Sequence, residues 1–309
     1  MEKLVFLFPG QGSQYVGMGR ELVAQFIEAA EVFDEADSAL GFSLRTIMWD
    51  GPTERLAQTE ITQPAILTMS VALHKVLERH GIRPTATAGL SLGEYSALTA
   101  AGAIGFRDAV RLVRERGRLM QEAVPIGQGA VAAIMGLEAA LVEQACAAVK
   151  EAGIVAVANY NCPGQTVVAG ETAAVEAALR KCTELGAKRA VKLPVSAPFH
   201  TVLLRGAGEG LRPYLEAIPF QLTRTPVLSN VTANYHTDAE LVDILVDQVS
   251  SPVRFEGCIR RLLADGFRSF VEVGPGSSLA SFVKRIDKDV AVYGVENKDG
   301  LDRLLERLA

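Results

Sequence analysis

Short apolar runs alternate with stretches of helical period along most of the chain. Residues 3–8 (Lys-Leu-Val-Phe-Leu-Phe) read as a buried strand that stops at Pro9-Gly10. The pattern predicts a helix over 61–80, a strand of small residues over 85–89, and a helix after Ser91. Residues 108–122 carry an amphipathic helical spacing. Toward the C-terminus, 267–273 reads as a strand, 274–277 as a turn, 278–286 as a helix and 290–295 as a last strand. Strands alternating with helices in this way predict an α/β architecture with a mostly parallel sheet.

The middle of the chain has a different order. Strands are expected at 129–135, 154–160, 165–169 and 189–195, with helices at 138–152 and 172–185. That order, βαββαβ, is the pattern of a ferredoxin-like unit. The expected organisation is a small subdomain, 127–196, inserted into a larger α/β subdomain formed by 1–126 and 197–309. No internal repeat or low-complexity stretch interrupts it.

Composition narrows the class. In 309 residues, 49% are hydrophobic and 22% charged, which excludes a disordered chain or a fibre. A net charge of −5 argues against a nucleic-acid footprint. No run approaches the roughly 18 apolar residues of a membrane span. The first residues, Met1 to Phe6, are too soon broken by Pro9-Gly10 for a signal peptide. Cys146, Cys162, Cys182 and Cys258 show no metal-type pairing, and are expected to be reduced thiols in a cytoplasmic protein.

Gly89-Leu90-Ser91-Leu92-Gly93 fits G-x-S-x-G between an expected strand and helix, the context of a nucleophile elbow. In so tight a turn, side chains at 89 and 93 would collide with neighbouring backbone. The Leu92 N–H would face a developing oxyanion. The plainer reading is a strand-to-helix turn capped by a serine. A serine nucleophile needs a base, and the chain has four histidines. His74 and His80 fall on the 61–80 helix, with His80-Gly81 reading as a helix end. His236 falls in a polar loop. His200 follows Ser196-Ala197-Pro198-Phe199, where the chain leaves the inserted unit, and such a seam is a natural cleft. His200 is therefore the candidate base; the alternative is a surface histidine at a helix start. Between Ser91 and His200 the one aspartate is Asp108, which suits a helix start better than a triad. The expectation is a Ser–His dyad whose second imidazole N–H is held by a carbonyl or an amide side chain.

On the 108–122 helix, Ala109, Val110, Leu112, Val113, Gly117, Leu119 and Met120 cover one face, and Arg116 falls among them. A buried guanidinium without an anion costs several kcal/mol. It must meet either a structural salt bridge or the carboxylate of a substrate, which arginine binds through two parallel hydrogen bonds.

Together these residues resemble the malonyl-CoA:acyl carrier protein transacylase family across essentially the whole chain. The resemblance rests on Phe8-Pro9-Gly10-Gln11-Gly12-Ser13-Gln14, Gly89 to Tyr95, Arg116-Gly117-Arg118-Leu119-Met120-Gln121 and Asn159 to Gln165. Pro198-Phe199-His200, Gln248 to Arg254 and Glu272-Val273-Gly274-Pro275-Gly276 complete it. It implies a hydrolase-like large subdomain with a ferredoxin-like insertion. It also implies Ser91 as the acylated nucleophile and His200 as its base. The Gln248 carbonyl would orient the imidazole, backbone N–H groups of Gln11 and Leu92 would form the oxyanion hole, and Arg116 would hold the malonyl carboxylate. The implied partners are malonyl-CoA and a phosphopantetheinylated acyl carrier protein, with no metal or redox cofactor, in fatty acid synthesis. The same chemistry could load a polyketide carrier; a serine thioesterase or other hydrolase is the more distant alternative. One position departs from the family pattern: Leu90 stands before the nucleophile where histidine is common. Phe199, bulky beside His200, favours malonyl over methylmalonyl. Carriers are usually acidic, and residues 180–192 offer Arg180, Lys181, Lys188, Arg189 and Lys192 against Glu184 alone. That face, Lys188 and Arg189 above all, is either a carrier dock or an ordinary solvated edge.

Overall fold

Two four-stranded sheets, one parallel and one antiparallel, organise the chain in the computed structural model, which describes residues 3–125, 127–193, 195, 197–221 and 225–308. β1 (Leu4–Phe8) is followed by α1 (Arg20–Gln25), α2 (Ile27–Leu40), α3 (Leu44–Asp50), α4 (Thr53–Leu56) and α5 (Thr59–Arg79). β2 (Ala86–Gly89) leads into α6 (Leu92–Ala100) and α7 (Phe106–Glu122). Next come β3 (Gly129–Met135), α8 (Ala139–Ala148), β4 (Val155–Cys162), β5 (Gln165–Glu171), α9 (Thr172–Glu184) and β6 (Arg189–Lys192). The chain ends with α10 (Arg205–Glu216), α11 (Leu241–Gln248), α12 (Phe255–Ala264), β7 (Ser269–Val273), α13 (Ser278–Ile286), β8 (Ala291–Val295) and α14 (Lys298–Leu308).

The parallel sheet has the order β2-β1-β7-β8. Helices cover both of its faces, which is why β1 is apolar at every position rather than at alternate ones. Phe6 and Phe8 pack into one core with α2, α5, α6 and α7. Val5 and Leu7 pack into the other, against Phe255, Ile259 and Phe282. The register sets Phe8 beside Gly89, so the strands deliver the loops after β1 and β2 side by side at the carboxyl edge of the sheet. Ligand sites of parallel sheets form at that edge.

The second sheet has the order β4-β5-β3-β6, antiparallel throughout, and is built wholly from chain lying between α7 and α10. With α8 and α9 on one face it encloses its own core, including Ile134, Val168, Val175 and Cys182. This is the expected ferredoxin-like order. Strand β4 joins it to the rest of the chain: Tyr160 N donates to Val253 O (2.9 Å) and Val253 N to Ala158 O (2.8 Å).

Some element limits differ from the pattern. The last strand of the small sheet stops at Lys192, because Val195 N turns back to Leu193 O (2.8 Å) instead of continuing the ladder. The α-helix expected over 138–152 ends at Ala148 and closes in a 3-10 turn at Lys150–Ala152. Helices α1 to α4 and α10 to α12 lie where the apolar pattern singles out nothing. Ile126 and Ser196, at the expected limits of the inserted unit, and Pro194 in the expected strand lie outside the described residues. All four cysteines are free and buried. Among the described residues no helix is long and apolar enough to cross a membrane.

Close approach of α7 to α5 fixes the position of Arg116. A Cβ on Gly117 would lie 2.6 Å from Thr59 O and 2.8 Å from Glu60 Cα, both backbone atoms. Gly117→Ala is expected to cost about 1–3 kcal/mol by forcing the helices apart. A lower denaturant midpoint at unchanged slope would register it; an unchanged midpoint would show that the helices separate freely.

Candidate active site

Ser91 sits in the turn from β2 to α6 with φ 54° and ψ −106°, a conformation that side chains other than glycine rarely adopt. The glycines make the turn possible. A Cβ on Gly89 would lie 1.9 Å from Gly93 C, and one on Gly93 would lie 1.9 Å from Phe8 O. Asn230 fastens the turn from outside: its Oδ1 accepts from Ser91 N (2.6 Å) and its Nδ2 donates to Gly89 O (2.8 Å). Ser91 makes no side-chain capping bond to α6, so the plain capping reading fails. Leu92 is the first residue of that helix, where a backbone N–H has no intrahelical acceptor. Gln11 lies in the loop after β1, and its side chain donates to Thr59 Oγ1 (3.4 Å). Gly10, its neighbour, is packed against Leu90 O.

The Ser91 hydroxyl points to His200, with 2.7 Å between Oγ and Nε2. His200 is buried rather than at a surface helix start, and it has φ 61°. Its Nδ1 lies 2.9 Å from the main-chain oxygen of Gln248, at the end of α11. Given that acceptor, Nδ1 carries the proton and Nε2 presents its lone pair to the serine. No side-chain carboxylate bonds the imidazole among the described residues. Burial, and then the positive charge of Arg116, push the imidazole down to about 4 from its ordinary value. His200 is thus neutral near pH 7, the state a base requires.

The other histidines lie elsewhere. His80 ends α5 with Nδ1 on Val76 O (2.8 Å). His74 is buried within α5, and burial lowers it to about 4. His236, expected in a polar loop, is buried with its Nε2 on Glu94 Oε1 (2.6 Å). The loop turns back on itself beside the edge strand β2, where Val227 pairs with Thr87 and Leu228 with Tyr235, and carries the imidazole inside.

Arg116 is buried at 1% exposure. Its Nη1 donates to Gln63 Oε1 (2.8 Å), and its Nη2 to Gln248 Oε1 (2.9 Å) and to Ser91 Oγ (3.2 Å). The Tyr95 ring lies 5.2 Å from its Cζ. Among the described residues no carboxylate forms an ion pair with it, so the structural salt bridge is not the arrangement adopted. Burial lowers its pKa from the ordinary value. The result is a buried cation with no carboxylate in direct contact, touching the Ser91 hydroxyl, where an incoming carboxylate could pair with it.

Gln63, Glu94, Asn230 and His236 complete the arrangement, and none was singled out from the sequence. Glu94, three residues after Ser91 on α6, was visible only within the Gly89 to Tyr95 stretch that carries the family resemblance. Asn230 and Gln63 come from segments with no chemical signature. Lys188 and Arg189 are exposed at the edge formed by β6. Two cations of that face are already paired, Lys181 with Glu184 (3.0 Å) and Lys192 with Glu176 (3.4 Å). No cluster of three or more metal-ligating side chains occurs among the described residues.

The family model described as acyl transferase domain matches residues 5–300, and the chain belongs to that family. Within it, the likeness is to malonyl CoA-acyl carrier protein transacylases. The one from Bacillus subtilis (strain 168) is 45% identical over 310 residues, covering 100% of this chain and 98% of that protein. The crystal structure of an acyl carrier protein S-malonyltransferase from Vibrio cholerae superposes with a TM-score of 0.95 at 43% identity, over 98% of this chain and 100% of that one. A malonyl-transacylase solved in complex with its type II PKS acyl-carrier protein gives 0.96 at 41% identity, over 99% and 100%.

The geometry predicts the acid limb of Ser91 reactivity. The rate with a serine-directed fluorophosphonate should stay level on acidification until His200 protonates near about 4. Arg116→Met, which removes the neighbouring positive charge, should move that limb upward. A wild-type limb at the free-imidazole value of about 6.5 would contradict the burial argument.

Proposed function

We propose that this protein moves a malonyl group from malonyl-CoA to the phosphopantetheine thiol of an acyl carrier protein, through a malonyl ester on Ser91. One observation carries the reading: the Ser91 hydroxyl is within hydrogen-bond distance of both His200 Nε2 (2.7 Å) and Arg116 Nη2 (3.2 Å). A base and a carboxylate clamp thus converge on one oxygen.

Ser91 Oγ attacks the thioester carbonyl while its proton passes to His200 Nε2. The oxyanion is received by the N–H groups of Leu92 and Gln11. As the carbon–sulfur bond breaks, the CoA thiolate takes the proton from the imidazolium. The carrier thiol then gives its proton to His200 and attacks the ester, and Ser91 Oγ leaves with that proton. The Gln248 carbonyl keeps Nδ1 protonated through both steps. Arg116 holds the distal carboxylate. Pairing it also offsets the charge that, after burial, lowers the imidazole, so His200 becomes a stronger base when the acyl group carries a carboxylate.

The reading extends to malonyl supply for fatty acid synthesis in the cytoplasm. A second reading, the same transfer to a polyketide carrier, is favoured by the likeness to the transacylase solved with a type II PKS carrier. Residues 127–196 are taken as the inserted subdomain, and Lys188 with Arg189 as part of the carrier dock; no ion pair occupies either side chain among the described residues.

Incubation with malonyl-CoA should leave a malonyl adduct on the Ser91 peptide by mass spectrometry, absent in Ser91→Ala. Free malonate released with no adduct would indicate hydrolysis instead. Arg116→Ala removes charged hydrogen bonds of about 1.5–3 kcal/mol, so malonyl-CoA should lose about ten- to hundredfold in rate relative to acetyl-CoA. Equal losses would remove the clamp role. Charge reversal at Lys188 and Arg189 should raise the carrier KM while leaving Ser91 acylation intact; an unchanged KM would remove the dock.

A further inference from the structure

A buried carboxylate lies beneath the dyad, and the two chemical steps do not use it. Glu94 is fully buried in the first turn of α6. Its Oε2 accepts from Gln248 Nε2 (2.8 Å) and Asn230 N (2.9 Å), and its Oε1 from His236 Nε2 (2.6 Å). No hydrogen bond among the described residues joins it to Ser91 Oγ or to the Arg116 guanidinium.

The Gln248 side chain stands between Glu94 and Arg116. Its Nε2 donates to Glu94 Oε2 and to Ser91 O (3.1 Å), and its Oε1 accepts from Arg116 Nη2 (2.9 Å). A guanidinium can only donate, and an ionised carboxylate can only accept. Between these two neighbours the amide has one favourable orientation. Reversed, it would aim N–H groups at the guanidinium and a carbonyl at the carboxylate. A direct Glu–Arg pair would occupy the guanidinium, whereas no counter-charge at all would leave a buried cation uncompensated. A carboxylate one amide away avoids both outcomes.

We propose that Glu94 is a positioning residue for acyl-group selection: it fixes the Gln248 amide with Oε1 toward Arg116, and so holds the guanidinium beside Ser91 and open to a substrate carboxylate. This rests on the malonyl-transfer reading given above. Glu94 also anchors Asn230, whose side chain holds the Ser91 turn, so its removal slows acylation in general. The signature of positioning is therefore a change in selectivity, not merely in rate.

Ser91 acylation rates are measured with malonyl-CoA and acetyl-CoA for the wild type, Glu94→Ala, Glu94→Gln, Gln248→Met and the Glu94→Ala/Gln248→Met double variant. If the wild type forms no acyl-Ser91, the transfer reading itself fails. If it prefers malonyl-CoA, Glu94→Ala should lower the malonyl-to-acetyl ratio about tenfold, the effect of losing one charge-assisted hydrogen bond. Glu94→Gln should keep the ratio near the wild-type value. Its carbonyl oxygen can take the place of Oε2, and its NH2 can face His236 once the imidazole proton moves to the unpartnered Nδ1. Gln248→Met should lower the ratio as Glu94→Ala does, and the double variant should fall no further, because both act through one amide. Equal losses on the two substrates in Glu94→Ala, or multiplied effects on the ratio in the double variant, would overturn the proposal. If Glu94→Ala does not fold, an unchanged ratio in Gln248→Met overturns it alone.

Discussion

A guanidinium sealed in the interior against the Ser91 hydroxyl is the constraint on which the rest of the structure depends. Arg116 is buried with amide oxygens, a serine hydroxyl and a tyrosine ring for company, and no carboxylate in direct contact. Charge in such surroundings is costly unless hydrogen-bonded and offset. Gln63 and Gln248 provide the hydrogen bonds, and Glu94 provides the offset at one remove. What remains unsatisfied is electrostatic demand for an anion next to Ser91 Oγ. Burial, and then the same charge, lower the His200 imidazole, so in the proposed mechanism base strength and acyl-group recognition are coupled through a single side chain.

The parts reach one place by different routes. Parallel pairing of β1 with β2 brings the Pro9–Gln11 loop beside the Ser91 turn. Helix α7 lies on α5 at a glycine contact, which delivers Arg116 to Gln63. Helix α11 ends at Gln248, whose backbone serves His200 and whose side chain serves Arg116. The φ values of 54° at Ser91 and 61° at His200 carry strain of about 1–3 kcal/mol each, which the surrounding bonds sustain. Asn230 and the glycines at 89 and 93 hold the first of these two residues in place.

Much of this was legible locally. The consecutive apolar residues of β1 announce a strand covered on both faces, and the strand–Gly-x-Ser-x-Gly–helix sequence announces the elbow. An arginine out of phase on α7 announces a buried cation, since helical geometry alone assigns its face. The βαββαβ order announces the second sheet. Helices α1, α3 and α4 were not legible, because such short helices draw their stability from packing rather than from their own periodicity. The inward turn of His236 was equally hidden: a polar loop sequence does not reveal that it turns back beside the edge of a sheet.

Sequence by itself determined the strands of both sheets, several of the helices, the elbow motif and the burial of Arg116, because each follows from spacing within a few turns of chain; Ser91 and His200 came from it as candidates. Tertiary structure alone decided what those groups meet. That arginine faces amides rather than an acid, and that Glu94 lies behind Gln248, depend on contacts between residues far apart in the chain. Such contacts leave no local period or motif. They are set by how helices pack on the parallel sheet, and only the folded chain brings the donors and acceptors within range of one another.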